Sequence, residues 1–217
     1  MAHGIAGILS FLAICSLHGI VVNGQMDALR NISEWLQFHQ QGNKNLCFWE
    51  SVVSFDDEGI KKEDQAFSGR DAWCYGTPGV ATSLYLAGKA LADEALKNYA
   101  LKCFKGVFER PDQWFLPGPG ICHGKSGLLI MTHMMAEQTK DCDLKKQVKI
   151  LLKDLLKGYR SEFPFGFKDR HPCENSHIEV DQAGLLEGVS GILLILMSVN
   201  QSTSWWHAPF LILDGKI

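Results

Sequence analysis

Trp73-Cys74-Tyr75-Gly76-Thr77-Pro78-Gly79 places a thiol just ahead of a Gly-x-x-Gly step that opens an apolar run. Cys122-His123-Gly124-Lys125-Ser126-Gly127 does the same with a thiol and an imidazole. The x-Gly-x-x-Gly step recurs as His3-Gly4-Ile5-Ala6-Gly7 and as Glu187-Gly188-Val189-Ser190-Gly191. Each copy begins a helix that is apolar on all sides, and three of these adjoin an amphipathic one. A helix apolar all round has to be buried, whereas its amphipathic neighbour can cover it and face water. An all-α fold with an inner and an outer layer of helices follows. The glycines permit tight turns and close backbone approach at one end of the inner layer. The residues just before them, His3, Cys74 with Tyr75, Cys122 with His123, and Glu187, are therefore expected to converge on one rim.

Working outward, the chain predicts an apolar helix from His3 to about Leu17 and a break at Val21-Val22-Asn23-Gly24. An amphipathic helix follows from Met26 to Gln40, with Leu29, Ile32, Trp35, Leu36 and His39 at helical spacing. Residues Gly42 to Gly69 read as a long irregular connection. Then come an apolar helix from Gly76 to about Ala92, a polar-faced one from Asp93 to Glu109 ended by Pro111, and the turn-rich Leu116-Pro117-Gly118-Pro119-Gly120. Gly124 to Glu137 is the next apolar helix and Asp143 to Arg160 its amphipathic partner. A second loop, Phe163 to Asp181, leads to a last apolar helix ending near Val199. The run Ile5 to Val22 imitates a signal or a membrane span. It lacks Lys and Arg ahead of it, and Gly4, Gly7, His18 and Gly19 interrupt it, so a buried helix is expected.

At 217 residues, 46% of them hydrophobic, the chain can bury a real core. A formal net charge of -3 gives no electrostatic reason to expect nucleic acid or an anionic membrane as partner. Seven cysteines are too sparse for a small disulfide scaffold and odd in number. Some thiols are expected to be free, as suits a reducing cytoplasm, and the rest invite a metal. Cys74, Cys122 and His123 make a three-ligand set that suits zinc and leaves a fourth tetrahedral position open. The same cysteines can equally be small core residues, since no CxxC spacing is present. His171, Cys173 and His177 lie in a polar loop and are not read as a second zinc site; His133 is read as a core histidine.

Four stretches resemble the motifs of the lanthionine synthetase C family, the cyclases of lantibiotic biosynthesis: Arg70-Asp71-Ala72-Trp73-Cys74-Tyr75-Gly76-Thr77-Pro78-Gly79, Cys122-His123-Gly124, His3-Gly4-Ile5-Ala6-Gly7 and Leu186-Glu187-Gly188-Val189-Ser190-Gly191-Ile192. The resemblance runs over nearly the whole chain. It implies an α/α toroid, with residues 1–217 as a single domain forming its C-terminal part. It also implies zinc held by Cys74, Cys122 and His123, with His3, Arg70 and Tyr75 at active-site positions. The substrate implied is a precursor peptide whose Ser and Thr residues have been dehydrated, and the reaction is addition of a cysteine thiol to form a thioether ring. Implied partners are a dehydratase and exporter complex or a second chain completing the toroid, in the cytoplasm and peripheral to the membrane.

Each role has a plain rival. His3 can cap the first helix, Arg70 can be a loop residue paired with Asp71 or Asp64, Tyr75 can pack beneath the metal, and Glu187 is expected to make a structural hydrogen bond to a neighbouring turn. Complete cyclases of the family are about twice this length, and the acidic residue that partners the position of His3 belongs to their other half. Two further functions therefore stay open: a non-catalytic zinc-binding scaffold that holds a modified peptide or a partner enzyme, and a glutathione-binding relative.

Overall fold

In the computed structural model, which describes residues 1, 4–42, 46–61, 67, 69–173, 176–200 and 206–212, Asp93 and Asp141 cap the starts of two amphipathic helices. The Asp93 carboxylate accepts from the backbone N–H of Leu96, and that of Asp141 from the N–H groups of Asp143 and Leu144. A cap of this kind stabilises a helix by about 1 kcal/mol because it satisfies donors that have no partner within the helix. The helices in chain order are α1 (Gly4–Leu17), α2 (Gln25–Phe38), α3 (Thr77–Ala90), α4 (Glu94–Gly106), α5 (Lys125–Thr139), α6 (Cys142–Leu156) and, after a hairpin, α7 (Val189–Asn200). They fall into two compact units: Met1–Trp114 with Ala208–Ile217, and Phe115–His207.

In the first unit α3 is the buried axis. All its residues from Thr77 to Gly88 are buried, as its uniformly apolar and small composition requires. It packs against α1, α2 and α4. The covering helices bury one stripe each, Leu29, Ser33 and Leu36 of α2 and Leu96, Ala100, Cys103 and Phe104 of α4. Cys103 is joined by a disulfide to Cys47, with Cα atoms 5.4 Å apart. Two of the seven cysteines, neither of them in the proposed metal set, are thus paired with each other.

In the second unit α5 takes the buried role, with Ser126 to Thr132, Met135 and Ala136 inside. It packs against α6 and α7. Leu144, Val148, Leu151 and Leu155 of α6 recur at helical spacing and are buried. His133 of α5 is half-buried, and burial holds its imidazole below the ordinary value.

Three expectations are corrected. The helix expected to reach Arg160 ends at Leu156, and Arg160 instead donates its N–H to the Gly166 carbonyl in the loop beyond. The segment expected to be a plain loop contains an antiparallel hairpin, β1 (Asp169–Cys173) paired with β2 (Ser176–Val180). Short, polar and carrying a proline, it shows little of the alternation that marks a half-buried strand. Helices apolar all round are not buried equally. Ile8 and Phe11 of α1 and Leu193 and Met197 of α7 are exposed, whereas every residue of α3 from Thr77 to Gly88 is buried. Among the described residues no helix is long and apolar enough to cross a membrane.

Candidate functional site

The loop that leads into α3 is closed by its own backbone. Ala72 donates to the Tyr75 carbonyl, and Asp71 donates its N–H to the Trp114 carbonyl. Gly76 has φ 115°, and a Cβ there would run into the Arg70 carbonyl. Only glycine is comfortable in that conformation, so the residue that follows Cys74-Tyr75 has to be glycine. Trp73 anchors the loop from below: its indole N–H donates to the Phe210 carbonyl at 3.0 Å, and the two rings meet edge to face at 5.3 Å.

A residue that spacing did not single out holds this loop in place. Arg110 donates through Nε and Nη2 to the two carboxylate oxygens of Asp71, both at 3.0 Å, and through Nη2 to the Thr77 hydroxyl at 2.9 Å. Of the alternatives open for Arg70, a pair with Asp71 is not made: Asp71 pairs with Arg110, and Arg70 is exposed. Burial raises the Asp71 carboxyl above its ordinary value, while the Arg110 charge and the Thr77 hydroxyl pull it back. Within this framework Cys74 is buried and Tyr75 is partly exposed. His3 lies outside the described residues.

The loop that leads into α5 is built on the same plan in the second unit. Lys125 and Ser126 donate their N–H groups to the carbonyls of Gly118 and Pro119, folding the turn back on the start of the helix. Ile121 and Cys122 both donate to the Leu186 carbonyl, at 2.8 and 3.0 Å. The structural hydrogen bond expected of Glu187 is therefore made by the backbone of its neighbour. A Cβ on Gly124 would strike the carbonyls of Gly118 and Gly120, so His123 precedes a position closed to side chains. Cys122 and His123 are half-buried side by side, and Cys74 and Cys122 are thiols, as are Cys15 and Cys142.

Beside this loop the hairpin brings in Asp169, His171 and, from the turn before α7, Glu187. Burial raises the Asp169 carboxyl, with the backbone N–H of Arg170 and the charges of His123 and His171 acting the other way and Glu187 adding to the rise. Of the His-x-Cys-x-x-x-His grouping, His177 stands in register opposite Pro172 and so lies on the other face of the hairpin from His171; the Cys173 side chain lies outside the described residues.

The sequence pattern of the family described as "Lanthionine synthetase C-like protein" matches residues 1–211. The nisin biosynthesis protein NisC of Lactococcus lactis subsp. lactis is 27% identical over 219 residues, which cover 99% of this chain and 48% of that protein. Among solved structures, a nisin cyclase superposes with a TM-score of 0.77 at 23% identity, covering 98% of this chain and 49% of its own. The chain thus spans about half the length of these relatives. The structural likeness shows the fold, the all-α toroid class expected from the sequence.

Proposed function

Because the chain belongs to the lanthionine synthetase C-like family, we propose that it serves as a zinc-dependent cyclase, adding cysteine thiols to dehydroalanine or dehydrobutyrine in a dehydrated precursor peptide. The observation that carries this reading is that a thiol, and a thiol with an imidazole, stand in the same register before the two most deeply buried helices, within a family match over residues 1–211.

Cys74, Cys122 and His123 are the residues proposed to hold the metal. Two thiolates and a neutral imidazole are a donor set that suits zinc with one position left over. When bound, zinc would deprotonate a substrate thiol whose ordinary pKa is about 8.5. The chain's own residues then have three tasks. As the sulfur bonds to the β-carbon, the electron pair of the double bond moves to the α-carbon and its carbonyl, giving an enolate. That enolate has to be steadied, and it has to receive a proton at the α-carbon. His3 is proposed as the proton carrier, since imidazole titrates near neutrality. Arg70, permanently charged and exposed at the loop, is proposed to orient the peptide or stabilise the enolate oxygen. Tyr75, with its side chain partly exposed beside Cys74, supplies a hydroxyl at the same loop. Net, the S–H of a cysteine adds across a carbon–carbon double bond.

The proposal places the reaction in the cytoplasm, with a dehydratase and an exporter or a second chain as partners. The test is to incubate the purified, zinc-loaded chain with a dehydrated peptide bearing one cysteine. Ring closure is read as loss of the alkylatable thiol at unchanged peptide mass. Closure supports the cyclase; zinc and peptide binding without closure would leave the scaffold reading in its place.

A further inference from the structure

We propose that Asp169, His171 and Glu187 form a second, thiolate-free site for a divalent first-row transition ion such as Mn2+ or Zn2+. Asp169 and His171 are two residues apart on β1 and so point to the same face of the hairpin. His171 Nε2 lies 3.3 Å from Asp169 Oδ2 and 3.8 Å from Glu187 Oε2. One ligand atom from each of the three residues falls within 4.8 Å of the other two. Two ligands about 2.1 Å from one ion at a tetrahedral angle are themselves about 3.4 Å apart, close to the 3.3 and 3.8 Å that separate His171 Nε2 from the two carboxylates.

The Asp169 side chain is 3% exposed, and apart from the 3.3 Å contact between them neither its Oδ2 nor His171 Nε2 makes a hydrogen bond among the described residues. An unsatisfied buried carboxylate oxygen is costly. A single N–H at Nε2 cannot serve two carboxylates in different directions, whereas a cation satisfies all three atoms at once. The charges agree: two carboxylates, a neutral imidazole and a divalent ion sum to zero. Oxygen and imidazole donors without sulfur suit a first-row transition ion rather than Cu(I). Glu187, 41% exposed at its side chain, forms the open side through which an ion and its water ligands can enter.

This site shares no residue with the Cys74, Cys122 and His123 set and stands whether or not that set binds zinc. The test uses the full chain, freed of metal and titrated with Mn2+, with free Mn2+ followed by electron paramagnetic resonance. One saturable site is expected. Asp169→Asn and His171→Ala should weaken it by at least the roughly 10- to 100-fold that loss of an outer-shell partner costs, and the partly exposed Glu187→Gln should weaken it without endangering the fold, checked by circular dichroism. Cys122→Ser should leave Mn2+ uptake unchanged. Absence of saturable uptake, equal uptake by Glu187→Gln and Asp169→Asn and the parent chain, or loss of uptake in Cys122→Ser would each overturn the proposal.

Discussion

Arg110 and Asp71 meet as a two-pronged ion pair, both contacts at 3.0 Å, with side chains only 5% and 0% exposed. The pair ties the end of the α4 region to the loop that carries Cys74, and its third bond, to Thr77, reaches the first residue of α3. Replacing Arg110 by Met leaves a carboxylate buried without its cation, at a cost of about 3–5 kcal/mol. Asp71 can escape only by protonation. Its folded pKa, already above the ordinary 3.8, then rises further, so the native variant holds a proton that the unfolded chain releases. The stability deficit should grow as pH rises from about 4 towards neutrality. Thermal unfolding of parent and variant at pH 4.5 and 7 checks this; equal deficits at both would contradict it.

Gly76 should not tolerate a side chain. At φ 115°, ψ -178° the backbone is in a region open essentially to glycine, and the added Cβ meets the Arg70 carbonyl. Gly76→Ala is expected to destabilise the first unit by about 1–3 kcal/mol from backbone strain alone. Gly59, which has open space around it, is the control, and Gly59→Ala should be near neutral. Chemical denaturation of the two variants makes the comparison.

Zinc content should follow the proposed ligands and no other thiol. Cys74→Ala, Cys122→Ala and His123→Ala are each expected to reduce bound zinc to well below one equivalent. Cys142→Ala, at an exposed thiol, should retain it. Elemental analysis after gel filtration reads the difference, and a Cys74→Ala protein with unchanged zinc would remove Cys74 from the set.

Tyr99 gives a prediction at alkaline pH. Burial pushes its phenol up to about 12, and its hydroxyl has no hydrogen-bond partner among the described residues. The folded pKa lies above the unfolded value of about 10. Its contribution to stability is therefore fully present below pH 10 and lost as pH rises through 12. Tyr99→Phe should match or slightly exceed the parent at pH 7, because it removes a buried unsatisfied group, and should lose less stability between pH 10 and 12. Unfolding midpoints across that range decide it.

The helices and their two kinds were legible because burial on one stripe or on all sides leaves a period in the residues themselves. Leu144, Val148, Leu151 and Leu155 show α6 as plainly in the sequence as in the structure. So too the glycines of the repeated step, since a backbone with φ 115° or a closed approach admits almost nothing else. Those same repeats pointed to Cys74, Cys122 and His123 and to the family. Arg110 was not legible. It stands at the end of a helical pattern before Pro111, where a surface arginine would look the same, and only the fold brings it to Asp71, 39 positions away in the chain. The hairpin was hidden because its residues are polar and its pairing is between neighbours rather than with a patterned core. The trio Asp169, His171 and Glu187 has no spacing to betray it, since one member comes from a different loop. Local period and backbone permission are properties of a chain segment and can be read in order. Which charge neutralises which, and which donors share a space, depends on distances that exist only once the segments have packed.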